Sequence, residues 1–487
     1  MQYQQLVGLY QSLEKTTKRL EKTALVADFL KQVPKEDLID VVYLLQGHVF
    51  APWDERNIGF SSRLTLKAIS IASGTAVDKV EQQWNKKGDL GIVASELIGK
   101  KSQSTLVQHK LTVKKVIDNI RKLATLEGAG TVGRKVSLVA ELLTSSSSEE
   151  ARFIVRTVLE ELRVGIAAGI LRDSIAQATG FSPDEIEYGA DILADYGEVA
   201  RLAKENKLKH ITLEPGRPMH LMLSIPVKDV TQSFEELDKP AQFEYKLDGF
   251  RLQIHKNKDK ITLFTRRMEN VTKQFPEVVT YIKTHIKGES YIIDCEAVGF
   301  DPKSGIHQPF QHISQRIKRK YDIEQLAKKL PVEANVFDVM YYNGKTMMDK
   351  PLSERRALLE NIVKHAPLKI KTTEKLVTND VKQAQAFYDE SLAKGNEGLM
   401  IKNITSLYRP GRYVGGWCKL KPVLEPLDLV IVGASYGEGK RASTLSSYVI
   451  SCQDEEGNLL EVGRVSTGVK EKGELGATFE ELTNLLK

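Results

Sequence analysis

The sequence predicts a multidomain protein: an all-α N-terminal domain, an α+β central domain with antiparallel sheets, and a small, incomplete C-terminal β domain. Three observations point there. The 487 residues exceed one ordinary domain. Apolar spacing is helical over roughly the first two hundred residues. Beyond Pro215 the pattern changes to short alternating runs bounded by turns. The expected boundaries are 1–212, 213–423 and 424–487.

The helical elements come first. Leu6, Leu9, Tyr10, Leu13 and Leu20 recur near helical spacing, with Lys, Glu and Gln between them. Ser147 and Glu150 have capping-box spacing, and Ile154, Val155, Val158, Leu159 and Leu162 follow on one face. LRVGIAAGILRDSIAQATG predicts a further helix ending near Gly180. Helices packing on one another account for most of these residues. From Phe243 the runs FEYKLDG, RLQIHK, KITLFTR, SYIIDCEAVGF, NVFDVMYY, GLMIK and WCKLK read as strands, with a helix near Leu352 to Lys364. PVLEPLDLV, with two prolines, reads as a linker at 422–430. LVIVGASYG, SYVISCQD and LLEVGRVST then predict a small β domain, followed by one helical segment, FEELTNLLK.

Composition narrows the function classes. Hydrophobic residues at 41% and charged residues at 28% fit a soluble globular chain rather than a disordered one. No apolar run is long enough to span a bilayer, and the start lacks an apolar core and a small-residue cleavage site. No membrane association and a cytoplasmic location are therefore expected. Cys295, Cys418 and Cys452 are far apart in sequence and form no CxxC, which argues against a disulfide framework or a Cys-rich zinc site. The net charge of +6 permits a polyanionic partner without demanding one.

One local pattern carries chemistry. Glu244, Lys246 and Asp248 alternate along a predicted strand, so an acid, an amine and a second acid would share a face. Gly249 and Arg251 follow. Alone, K-x-D-G-x-R reads equally well as a surface salt-bridge ladder. Four more runs weaken that reading. Asp294 and Glu296 share a face of YIIDCEAV; Phe337-Asp338 ends another strand; Glu397 opens EGLMIK; Trp417, Lys419 and Lys421 alternate. Packing does not explain polar clusters on apolar strands, because buried charge is costly unless paired or used.

The ordered set KLDGFR, TRRMENV, DCE, VFD, EGLMIK, WCKLK resembles motifs I to V of the nucleotidyltransferases that form a lysyl-nucleotide, a group holding DNA ligases, RNA ligases and mRNA capping enzymes. EARFIVRTVLEELRVGIAAGILRDSIA is similar to the DNA-binding domain of archaeal and eukaryotic DNA ligases, and PGRPMHLMLS resembles the entry to their catalytic domain. The whole therefore resembles an ATP-dependent DNA ligase. That implies a helical DNA-binding domain, an adenylation domain and an OB-like domain. It also implies ATP as co-substrate, Mg²⁺, and nicked duplex DNA as the partner of a monomeric enzyme.

The resemblance also implies roles. Lys246 would carry AMP through a P–N bond. Glu244 would accept a hydrogen bond from the adenine amino group, and Phe337 would stack on the ring. Arg251 and Glu296 would sit near the ribose, and Arg266 near the phosphates. Lys419 and Lys421 would neutralise phosphate charge. Glu296 and Glu397 would be the carboxylates around Mg²⁺. Arg412, or Tyr413 one position on, occupies the loop before the last strand, where the family often has a basic residue.

Some features depart from the family or invite over-reading. Cys295 stands where many relatives have glycine; it should point away from the pocket face, and no histidine lies near to activate it. The family ends its barrel with a basic motif VI, and no such segment follows VGRVSTGVK. A weakened first step, with joining of a pre-adenylated nick less affected, is the implied consequence. GAGTVG at 128–133 follows a helical stretch, not a strand, so it fails as a dinucleotide fingerprint; its N–H groups are either DNA-phosphate contacts or a plain loop. YGEGKR lacks phosphate-loop spacing and reads as a basic turn. KKSQSTLVQHKLTV sits where archaeal relatives often carry a sliding-clamp peptide. Gln103 and Leu106 fit it loosely and the usual aromatic pair is missing, so the alternatives are clamp binding and an exposed loop. Two rival readings are an RNA ligase or capping guanylyltransferase, which the large helical domain disfavours, and a non-catalytic DNA binder.

Overall fold

The computed structural model describes every residue except 101–109, 238, 320, 412–414, 424–425, 438–440, 442, 455, 472 and 474–475. Gln103, Leu106, Arg412 and Tyr413 lie outside the described residues. The chain forms two compact units. One comprises Met1, 8–57 and 164–422; the other comprises 2–7, 58–163 and 423–487. The N-terminal helices are thus shared between both. No described helix is long and apolar enough to cross a membrane.

The first helix, Tyr3–Glu14, buries Leu6, Leu9, Tyr10 and Leu13. Leu20 instead opens the next helix, Arg19–Gln32, and is 82% exposed. Periodicity alone did not reveal the break at 15–18 between them. The capping box is present at Ser148–Val158: Ser147 Oγ accepts from Glu150 N at 3.3 Å, and the Glu150 carboxylate accepts from Ser147 N at 2.8 Å. Ile154, Val155 and Val158 are buried where that helix packs on Leu90–Gly99. The helix Ala168–Thr179 ends on left-handed Gly180 as expected. Its start falls later than the sequence suggests, because Arg163 and Gly165 have positive φ and cannot continue a right-handed helix. Of GAGTVG, residues 128–130 form an exposed turn and 131–133 open the helix Thr131–Ser145.

The strands are β1 (Ile225–Val227), β2 (Ala241–Lys246), β3 (Phe250–Asn257), β4 (Lys260–Thr265), β5 (Ser290–Gly299), β6 (Val332–Tyr342), β7 (Lys345–Thr346), β8 (Ile370–Thr372), β9 (Lys375–Thr378), β10 (Gly398–Asn403), β11 (Trp417–Leu420), β12 (Val430–Tyr436), β13 (Leu445–Gln453) and β14 (Leu459–Val465). They form three sheets. The first has the order β1-β11-β10-β2-β9. The second has the order β4-β3-β5-β6-β7, with β8 also on β6. The third is β12-β13-β14, followed by the helix Phe479–Leu485. Pairing is antiparallel except β1 with β11 and β6 with β8.

Each of the first two sheets has its own core. Leu252, Ile254, Ile293, Cys295, Val336 and Val339 are buried in the second. Phe243, Leu399, Ile401, Cys418 and Leu420 are buried in the first. One irregularity matters. Asp294 pairs with Asp338, but Cys295 pairs with Val336, so Phe337 is an extra residue on β6. Bulges of this kind re-aim a side chain. Val336 and Val339 stay in the hydrophobic layer while Phe337 and Asp338 both leave it.

Candidate active site

Both sheets of the first unit wall a cavity of about 680 Å³, lined among others by Glu244, Lys246, Arg251, Arg266, Glu296, Phe337, Trp417, Lys419 and Lys421. Period-two geometry explains the first wall. Strand β10 pairs Met400 with Glu244 on one side and with Lys419 on the other. The next row of the same face holds Gln242, Lys402 and Trp417. Gly398 stands opposite Lys246. The strand ends at Lys246, so Asp248 lies in the following turn rather than on the shared face expected for it.

Two glycines set the spacing here. A Cβ on Gly249 would lie 2.4 Å from the Ala297 carbonyl oxygen. Gly398 has φ +133°, and a Cβ there would lie 2.0 Å from the Leu420 carbonyl oxygen. Neither position accommodates a side chain.

Lys246 Nζ lies 2.6 Å from Glu397 Oε2, and Lys421 Nζ lies 2.6 Å from the same oxygen. One carboxylate thus bridges two amines. Burial opposes charge on Glu397, but hydrogen bonds from Lys246 and Lys421 overcome this and hold its carboxyl below the usual range. Deeper in, Glu244 is 2% exposed. Its Oε2 accepts from Lys402 Nζ at 2.7 Å and its Oε1 from Gln242 Nε2 at 2.5 Å, with Arg356 Nη1 at 3.7 Å.

Arg251 donates to both oxygens of buried Asp294, at 3.0 and 2.6 Å, and to the Met222 carbonyl at 2.7 Å. Tyr408 donates to Asp294 at 2.8 Å. The Arg251 guanidinium also lies 5.4 Å from the Phe337 ring centroid and 5.6 Å from that of Trp417. Glu296, opposite Arg251 in the ladder, differs. Its carboxylate accepts no hydrogen bond among the described residues. Burial pushes its carboxyl up to about 7 against the lowering pull of Lys246 and Arg251; the charges of Asp294 and Glu397 add to the rise.

The expected site residues that are described line this one cavity: Lys246, Glu244, Arg251, Arg266, Glu296, Phe337, Lys419 and Lys421. Glu397 reaches it through Lys246 and Lys421. Arg266 is exposed at the rim, just past the end of β4. Phe337 is mid-strand rather than at a strand end. Cys295 is buried in the core behind the pocket, and burial raises its thiol well above the ordinary range. Lys402 was missed, although its alternation with Met400 signalled it. Arg356, Asp294 and Tyr408 were missed as partners because their contacts span long stretches of chain.

The donor set suits a purine nucleotide and a hard dication. An aromatic ring, a buried acceptor and several cations surround the cavity. Trp417 Nε1, buried in its wall, has no partner among the described residues. No cluster of three or more metal-ligating side chains occurs among the described residues. Mg²⁺ needs only one or two carboxylates beside phosphate oxygens and water, and Glu296 lines the cavity while Glu397 bonds its Lys246.

Comparison with known proteins agrees. The family described as "ATP dependent DNA ligase domain" matches residues 221–421, and "DNA ligase N terminus" matches residues 2–176. The chain is 46% identical to a DNA ligase of Nanoarchaeum equitans over all of this chain and 87% of that protein. It is 39% identical to a DNA ligase of Thermococcus fumicolans, with the same coverage. A solved structure described as "Pmar-Lig_PreS3" shares the fold, with a TM-score of 0.59 and 16% identity over 99% of this chain and 91% of that one. The chain therefore belongs to the ATP-dependent DNA ligase family.

Proposed function

We propose that the protein seals 5′-phosphate/3′-hydroxyl nicks in duplex DNA with Lys246 as the nucleophile. Lys246 Nζ attacks the α-phosphate of ATP; the P–N bond forms as the bond to pyrophosphate breaks. The AMP passes to the 5′-phosphate of the nick, which frees the amine. The 3′-hydroxyl then attacks that phosphate and AMP leaves. Each step is a displacement at phosphorus, so positioning and charge neutralisation supply most of the catalysis.

The observation that carries the reading is the Lys246–Glu397–Lys421 bridge beside a cavity of about 680 Å³ walled by Glu244 and Phe337. Lys246 Nζ is held against Glu397, whereas attack on phosphorus needs its lone pair free. Drawing Glu397 away frees Lys246 for phosphorus. Bound Mg²⁺ would supply charge neutralisation at the phosphates, held by Glu296 and Glu397. Glu244 accepts from the adenine amino group and Phe337 stacks on the ring. Arg251 and Glu296 face the ribose. Arg266, Lys419 and Lys421 face the phosphates, with Arg412 assigned to the same site by resemblance.

We take 1–212, 213–423 and 424–487 as DNA-binding, adenylation and OB-like regions of a cytoplasmic monomer. A sliding clamp is the proposed partner of the segment holding Gln103 and Leu106; unchanged clamp pull-down by Gln103→Ala would end that idea. The central test uses ATP labelled at the α-phosphate. Covalent label is expected on the wild type and absent from Lys246→Ala, while Lys246→Ala still joins a nick already carrying 5′-AMP. Label retained by Lys246→Ala overturns the assignment.

A further inference from the structure

We propose that Lys402 is the positioning residue that sets purine specificity: it holds Glu244 as an acceptor-only carboxylate, so the pocket reads an amino group rather than a carbonyl at the purine 6-position. The inference rests on the reading of Glu244 as the adenine contact. An ionised carboxylate only accepts, whereas a protonated one carries an O–H that could also serve a carbonyl. Adenine presents N–H at that position; guanine and hypoxanthine present oxygen. Keeping Glu244 ionised is therefore what makes it discriminate.

Glu244 is 2% exposed, and a buried carboxylate is costly unless a counter-charge lies close to it. Lys402 is itself 1% exposed and lies 2.7 Å from Glu244 Oε2. Arg356 is further off, at 3.7 Å, and is committed to Glu360 and Thr373. Gln242 is neutral. Lys402 is thus the close counter-charge. Its position is fixed on two more sides: its Nζ lies 4.6 Å from the Phe337 ring centroid and 4.5 Å from that of Trp417. Aromatic faces hold the ammonium without offering it another acceptor, so it is not free to swing toward a purine O6. Burial pulls the Lys402 amine below its usual range, while the carboxylates of Glu244 and Asp338 push the other way. The same rings wall the purine pocket, so one cluster couples stacking to base choice.

The test is equilibrium titration of the full chain, without Mg²⁺ so that no chemistry occurs, with ATP and with inosine triphosphate. Wild type is expected to bind ATP at least about tenfold more tightly. Lys402→Met should bring that ratio close to one, mainly by weakening ATP, and Lys402→Arg should restore most of it. Should Lys402→Met fail to fold, Lys402→Gln is read in the same way. A wild-type ratio retained by Lys402→Met or Lys402→Gln, but lost in Glu244→Ala, overturns the role of Lys402 and spares that of Glu244. Equal wild-type binding of the two nucleotides overturns both.

Discussion

Asp89 and Glu296 are both carboxylates walled in by protein, one in each compact unit, and their surroundings treat charge in opposite ways. Asp89 caps the helix Leu90–Gly99, accepting from Gly91 N at 2.8 Å and Ile92 N at 3.2 Å. Arg156 adds a bond at 2.7 Å. Burial resists its charge, but Arg156 and the backbone donors win and hold its carboxyl below 3.8. Glu296 has cations nearby but no donor bonded to it, and its carboxyl rises to about 7. A buried charge saturated by its own chain is a structural device. One left without donors, on a cavity wall, has something still to bind.

The contrast can be broken or sharpened by mutation. Asp89→Ala removes the buried carboxylate that Arg156 and two backbone N–H groups share, and should cost about 3–5 kcal/mol of stability, read as a lower denaturation midpoint. Glu296→Ala should leave that midpoint unchanged or raised, yet slow nick joining by about 10²–10³. A large loss of stability in Glu296→Ala would erase the distinction. The stability increment given by Mg²⁺ with ATP should vanish in the same variant.

Acid gives a smaller effect with a definite sign. The folded Asp89 carboxyl titrates below its unfolded value of 3.8, so its contribution is complete above that value and is lost as pH falls through the lowered one. The gap in stability between wild type and Asp89→Asn should therefore be constant from neutral pH down to about pH 5 and should narrow below pH 4. Arg163, 37% exposed and 3.4 Å from Asp89, is expected to contribute least. Arg163→Ala should cost under about 1 kcal/mol and less still in high salt.

What the sequence revealed follows the range of each interaction. Strand alternation put Asp294 and Glu296 on one face, and Trp417 and Lys419 on another, because period two is a local property. The capping box at Ser147 was legible for the same reason. Asp248 was misjudged because the strand stops at Lys246, and nothing local marks that end. The pairings Arg251–Asp294, Lys402–Glu244 and Arg355–Asp338 join residues 43, 158 and 17 positions apart. Sheet order decides the first two and the packing of the helix Leu352–Ile362 on β6 the third, and no spacing rule announces either. Lys402 was within reach, since it shares a face with Met400, but the motif drew attention to its glutamate instead.

The extra residue in β6 makes strand length a functional variable. Removing Phe337 would restore regular alternation opposite Asp294 and Cys295. The pocket would then lose its stacking surface while the backbone trace barely changed. Homologous chains that keep the pocket should therefore tolerate substitutions in this strand far better than any change in its residue count.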